Sequence, residues 1–141
     1  MKIIFNGLNE VLNTIDEIID VDNLESAMKK AVLLVEREAK MKAPRGTGDL
    51  ARSITSKVET SGNTITGTVF TPLEYAPYVE YGTGLFAEAG DGRKDVPWCY
   101  QDDKGEWHST SGQHPQPFMR PALDENREQI LRILAEDVIN D

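Results

Sequence analysis

The chain has 141 residues, 39% of them hydrophobic and 28% charged, proportions that fit one soluble globular domain rather than two. A fold of this size hides roughly 68 to 70% of the surface that its unfolded chain exposes, so a core can form without disulfides or metals. Fifteen Lys plus Arg against 24 Asp plus Glu leave a net charge of -9, which argues against a protein whose main task is gripping nucleic acid through its phosphates.

The single cysteine, Cys99, has no internal disulfide partner, and the opening residues MKIIFNGLNEVL lack the apolar core and cleavage site of a signal peptide. The longest apolar run is Ala31 to Val35, far short of the roughly 18 residues that span a bilayer. Synthesis in the cytoplasm, with no membrane partner, is the expectation.

Lys2 to Asn6 reads as a short strand ended by Gly7. Leu8, Val11, Leu12, Ile15, Ile18 and Ile19 then recur at helical spacing, opposite a polar face. Asp22 with Glu25 has the spacing of a capping box, starting a second helix with the stripe Leu24, Ala27, Met28, Ala31, Leu34, Val35 and Ala39. That helix must stop before Pro44, because the residue preceding proline avoids helical angles.

Ala43 to Asp49 is a tight connection of turn residues. Leu50 to Thr60 and Thr64 to Thr71 read as a β-hairpin around Ser61-Gly-Asn63, with Ile54, Val58, Ile65 and Val69 on its buried face. An aromatic segment, Tyr75 to Tyr81, ends at Gly82-Thr-Gly84. Phe86 to Asp95 reads as a mobile loop, and Pro97 to Gln101 with Glu106 to Thr110 as a second hairpin. A last helix carries Met119, Ala122, Leu123, Ile130, Ile133, Leu134 and Val138, with Pro121 in its first turn. The order predicts a single α+β domain over residues 1–141: an antiparallel sheet with helices packed on one face, N-terminal helices, a C-terminal helix, and a protruding mobile loop and hairpin at 85–115.

Charge is unevenly placed. Residues 10–25 carry six acids and no base, whereas residues 27–57 carry eight bases and three acids. The second helix is either solvated and paired with the acidic first helix, or a face for an acidic partner.

Enzymatic chemistry finds little material. Cys99, His108 and His114 match no common zinc spacing, and a site would need Asp102 or Asp103 as well; a buried strand cysteine and two exposed loop histidines are the plainer expectation. There is no GxSxG elbow, and Gly46-Thr-Gly48 and Gly82-Thr-Gly84 extend to no phosphate-binding loop. The carboxylates Asp91, Asp95, Asp102 and Asp103 fit a solvated loop better than a magnesium site. No catalytic residue, metal, cofactor or small-molecule substrate is assigned.

Three segments together resemble a family. Ala43-Pro-Arg-Gly-Thr-Gly-Asp-Leu-Ala-Arg-Ser-Ile54 is similar to the "aP..tG.Lr.Si" motif of the tail-completion, or head-tail joining, proteins of long-tailed phages, related to minor tail protein Z. Tyr75-Ala-Pro-Tyr-Val-Glu-Tyr-Gly-Thr-Gly84 resembles its "Y..yvE.Gt" motif, and Pro115-Gln-Pro-Phe-Met-Arg-Pro-Ala-Leu123 its closing "pF.rPA" motif. The resemblance covers roughly residues 22–139. Pro97 to Gly112 is similar to an insertion in some prophage members. The resemblance implies an α+β fold, no catalysis, and a structural role in the virion between head and tail, usually as a ring subunit assembled in the host cytoplasm.

In that role Gly46, Gly48, Gly82 and Gly84 would supply turns at positive φ, with Pro44 and Pro121 bounding helices. Thr47 and Asp49 would brace the chain entering the sheet. Tyr78, Tyr81, Trp98, Tyr100 and Trp107 are candidates to meet partners, although Tyr75, Tyr78 and Tyr81 could equally form a buried cluster under the sheet. Lys29, Lys30, Arg37 and Lys40 could face DNA in a ring lumen. Phe118 and Met119 are expected in the core, and Glu80 with Arg120 is an available charge pair. Three other readings compete: a metal-dependent hydrolase or nuclease using loop carboxylates and His108, a toxin-like binding module of a mobile element, and a tail terminator or head-completion protein. Metal-dependent cleavage would mark the first of these and growth arrest the second.

Overall fold

A computed structural model of the chain describes residues 1–5, 21–62 and 64–139. The expected helix from Leu8 to Ile19 lies outside the described residues. The chain falls into two compact units, Met1–Pro72 with Phe118–Asp141, and Leu73–Pro117.

The first unit is built on a three-stranded antiparallel sheet of β1 (Lys2–Phe5), β2 (Thr55–Ser61) and β3 (Thr64–Phe70), in the order β1-β3-β2. Lys2 pairs with Phe70, and Thr55 pairs with Phe70 from the other side. This register puts Ile65, Gly67 and Val69 on one face and Thr66, Thr68 and Phe70 on the other. Helix α1 (Val21–Lys42) packs across β2 and β3. All seven residues of its expected stripe are buried, and Val32 joins them. Lys40 and Lys42 occupy its last turn, where cations suit the helix dipole. Pro44 then stops it, as expected. The helix already includes Val21 and Asp22, so Asp22 does not start it as an N-cap.

One element differs from the sequence expectation. Residues 49–53 form a short helix, α2 (Asp49–Ser53), where a strand was expected from Leu50. Gly48 enters it at φ +84°, and Asp49 places a carboxylate at the positive end of the helix dipole. Thr47 Oγ1 donates to Asp49 Oδ2 at 2.8 Å, and Arg52 pairs with Asp49 and donates to the Thr47 carbonyl. The expected bracing of the chain by Thr47 and Asp49 is thus present. Gly46 lies in the same bend but is not at positive φ, contrary to expectation. The extended Ile54, fully buried, then turns the chain into β2.

The expected C-terminal helix is two helices, α4 (Met119–Asp124) and α5 (Arg127–Ile139), both packed on α1. The break falls at Asn126, whose side chain donates to the Ala122 carbonyl at 2.8 Å and whose N–H donates to Leu123. A side-chain amide thereby satisfies a carbonyl that a continuous helix would have bonded through its backbone. Asp124 and Arg127 form an ion pair at 3.0 Å across the joint. Pro121 sits in the first turn of α4, and Phe118, Met119, Ala122, Ile130 and Leu134 are buried. Among the described residues no helix is long and apolar enough to cross a membrane.

Candidate functional site

The second unit, Leu73–Pro117, starts with the aromatic segment, which forms the short helix α3 (Ala76–Tyr81). Proline in its first turn is compatible with that conformation, and Gly82 ends it by donating its N–H to the Tyr78 carbonyl at 2.9 Å. The chain continues through a 3₁₀ turn at Gly84–Phe86.

This strand of chain is zipped to the far end of the unit. Thr83 N–H donates to Gln113 O at 2.9 Å, Leu85 N–H to Ser111 O at 3.0 Å, and Gln116 N–H to Val79 O at 2.8 Å. Gly84 and Gly112 permit the approach. A Cβ on Gly84 would strike the Ser111 carbonyl oxygen, and one on Gly112 would strike that of Thr83. Both also sit at positive φ, so each glycine is required twice over.

The expected second hairpin is present as β4 (Trp98–Gln101) and β5 (Trp107–Thr110), with Gln101 opposite Trp107 and Trp98 opposite Thr110. Its turn is organised by Asp102. Oδ1 accepts the N–H groups of Lys104 and Glu106, both at 2.9 Å, and Oδ2 lies 2.8 Å from His108 Nε2. The His108 hydrogen bond, supported by these backbone donors, holds the Asp102 carboxyl below the usual carboxylate range. His108 also stacks on Tyr100, with centroids 5.4 Å apart.

Asp102, Glu106 and His108 could each offer a metal ligand atom within 4.8 Å of the others, a convergence that sequence spacing did not reveal. The arrangement as it stands is a polar staple across the hairpin tip. Cys99 lies opposite Ser109 and is exposed, so it is not the buried strand cysteine expected. His108 belongs to a strand rather than a loop, while His114 is an exposed residue beside Phe86, with ring centroids 3.9 Å apart.

Around this frame the unit displays aromatic surface. Trp107 is 71% exposed and Tyr78 60%, and Tyr75, Tyr81, Tyr100 and Leu85 are exposed as well. Tyr75, Tyr78 and Tyr81 therefore do not form the buried cluster offered as an alternative. Trp98 is half-buried beneath Arg93, whose guanidinium carbon lies 5.2 Å from its ring centroid. A groove of about 830 Å³ runs between Tyr78, Tyr81 and Trp98, with Glu88 and Asp91 also lining it. Glu80, by contrast, is fully buried.

The basic candidates lie on α1 in the first unit. Lys29 pairs with Glu25 at 3.4 Å, Lys40 with Glu36 at 3.3 Å, and Arg37 approaches Glu38 at 3.7 Å. Much of the expected positive face is thus balanced by its own helix. Lys30 is exposed, and so is Leu33, at 57%, one helical turn away on the same side as Arg37.

A family model described as "Bacteriophage HK97-gp10, putative tail-component" matches residues 7–82, more than half of the chain. The chain belongs to this family of phage tail components. Comparisons with curated proteins and with solved structures give no match.

The family match begins at residue 7, and so takes in the stretch Leu8 to Ile19 that the motif resemblance had left outside. It runs through α1, α2, β2, β3 and α3 and ends at Gly82. The first quoted motif, with the α2 turn, lies inside it, as does most of the second, with Tyr78 and Tyr81. The groove's outer wall, the hairpin and the third motif around Phe118 lie beyond it. In this tail component the most exposed tryptophan, Trp107, is therefore carried by a segment outside the matched span.

Proposed function

We propose that this tail component completes the tail at the head-tail junction, as one subunit of a ring around the DNA path. The observation that carries the reading is the exposed aromatic surface of the second unit, with Trp107 71% exposed. Large apolar rings rimmed by charge are the residues that interfaces enclose. A chain of 141 residues cannot encircle a duplex alone, so a ring needs several copies. The net charge of -9 repels identical neighbours, which favours closure on a template over assembly in dilute solution. The lumen reading turns Lys29, Lys30, Arg37 and Lys40 of α1 toward DNA, and it requires phosphates to compete with the glutamates that Lys29, Arg37 and Lys40 approach.

The test adds purified chain to tails lacking it and to filled heads. The reading expects multiple copies at the head-proximal end of the tail and restored joining. Labelling of heads alone would assign head completion, and a halt to tail elongation would assign termination. Duplex binding by the assembled form should fall steeply between 50 and 200 mM salt. Metal-dependent turnover of an ester or nucleotide, with no binding to tails or heads, would replace the structural reading with the hydrolase.

A further inference from the structure

We propose that the tip of the β4–β5 hairpin binds one divalent transition-metal ion of the zinc type, ligated by Asp102, Glu106 and His108. The site is independent of the ring reading, so the failure of either leaves the other standing.

The hairpin register brings the three ligands together. One step beyond the last ladder pair, Gln101 and Trp107, Asp102 N–H donates to the Glu106 carbonyl at 2.9 Å, so Asp102 stands across from Glu106 as Tyr100 stands across from His108. Side chains alternate between the two faces of a strand, which puts Tyr100, Asp102, Glu106 and His108 on one face and Cys99, Gln101 and Trp107 on the other. On the shared face a ligand atom from each of Asp102, Glu106 and His108 lies within 4.8 Å of the other two, and Asp102 Oδ2 is 2.8 Å from His108 Nε2. Ligand atoms about 2.0 to 2.2 Å from a tetrahedral zinc stand roughly 3.3 to 3.6 Å from one another, a spacing that small side-chain rotations reach from here.

The bond between Asp102 and His108 does not account for Glu106. Among the described residues the Glu106 carboxylate has no hydrogen bond or ion pair, and it faces the Asp102 carboxylate across the hairpin. Like charges directly opposite one another weaken a strand pair, and a cation between them removes that cost. One imidazole nitrogen with two carboxylate oxygens suits zinc and its transition-row neighbours, whereas magnesium and calcium prefer oxygen alone. The frame also orients the donors: Lys104 and Glu106 N–H groups hold Asp102 Oδ1, which leaves Oδ2 for the ion, and the Tyr100 ring stacks on the imidazole. His108 ligates through Nε2 as the neutral ring, with its hydrogen on Nδ1. Trp107 lies between two of the ligands in sequence, so the ion fixes the backbone that carries this exposed ring.

The experiment strips the full chain with a chelator and titrates it with Zn²⁺ by calorimetry. One ion per chain should bind with a Kd below about 100 μM, and the melting temperature should rise with zinc concentration. In NMR spectra the imidazole signals of His108 should move on binding while those of His114 stay. Glu106→Gln leaves the bond between Asp102 and His108 in place, so without zinc it should melt no lower than wild type, yet it should bind zinc at least about tenfold more weakly. His108→Ala should lose affinity to the same degree or more. Cys99→Ser and His114→Ala, which remove donors outside the site, should bind as wild type does. A Kd weaker than about 1 mM overturns the site, as does affinity untouched by Glu106→Gln and His108→Ala, or lost in Cys99→Ser or His114→Ala. Equal affinity for Mg²⁺ overturns it too, because that would be attraction by the carboxylates alone.

Discussion

Gly67 on β3 lies directly beneath Val32 of α1: a Cβ on Gly67 would stand 2.5 Å from Val32 Cγ1 and 2.8 Å from Met28 Sδ. The helix rests on the sheet where the sheet has no side chain. Replacing Gly67 with Ala must push α1 away or force Val32 and Met28 from their rotamers, and should cost about 1 to 3 kcal/mol, with Val costlier. Urea denaturation followed by circular dichroism measures this, and an unchanged midpoint would show that α1 is not seated on Gly67.

The sequence made the stripe of α1 legible because a long helix with one buried face leaves a clear period. Gly67 was silent in that pattern, although it lies between Ile65 and Val69 on the same face. A glycine carries no hydropathy, and only the approaching helix explains it. The α2 turn was hidden for a related reason: five residues hold too little periodicity to outweigh the β-branched run that follows. The aromatic candidates were visible by type, and the structure brings Tyr78, Tyr81 and Trp98 to one groove. Their convergence depends on hydrogen bonds from Thr83 and Leu85 to residues about 30 positions away, which no local pattern encodes.

Lys42 and Glu125 tie the end of α1 to the joint between α4 and α5 at 2.7 Å. The hydrogen bond to Glu125 raises the Lys42 pKa above its ordinary value. A raised lysine stabilises the fold fully below its unfolded pKa of about 10.4 and loses that contribution as pH rises through the folded value. Glu125→Gln should therefore melt below wild type at neutral pH, and the gap should begin to close only above about pH 10.4, as pH rises toward the raised folded value. A gap that persists into strong alkali would assign the effect to packing rather than charge.

Asp102 has the opposite sign. With its carboxyl pKa lowered by His108, its contribution is present above the unfolded value of about 3.9 and disappears only as pH falls through the folded one. Trp107 fluorescence should thus remain native down to that range and change below it. Asp102→Asn should shift the signal already at pH 7: if the amide oxygen keeps the two backbone N–H groups, its NH2 faces His108 Nε2 with a donor where the carboxylate oxygen accepted. Identical acid profiles for the two proteins would dismiss Asp102 as the organiser of the turn.

The hairpin supplies the sharpest test of the aromatic surface. Removing residues 87–111 would take away the Ser111 carbonyl that holds Leu85, so loss of function could reflect a damaged second unit. Replacing residues 98–110 with a short glycine-serine linker keeps Ser111 and Gln113, and with them the bonds to Leu85 and Thr83. Trp107→Ala and Tyr78→Ala, at exposed positions, should leave the melting temperature within about a degree of wild type, as surface substitutions do. If these rings anchor the virion contact, each should lower completion of particles at least about tenfold, and the linker variant should abolish it. Wild-type phage titre from the linker variant would show that the contact lies elsewhere, within residues 7–82 that the family shares.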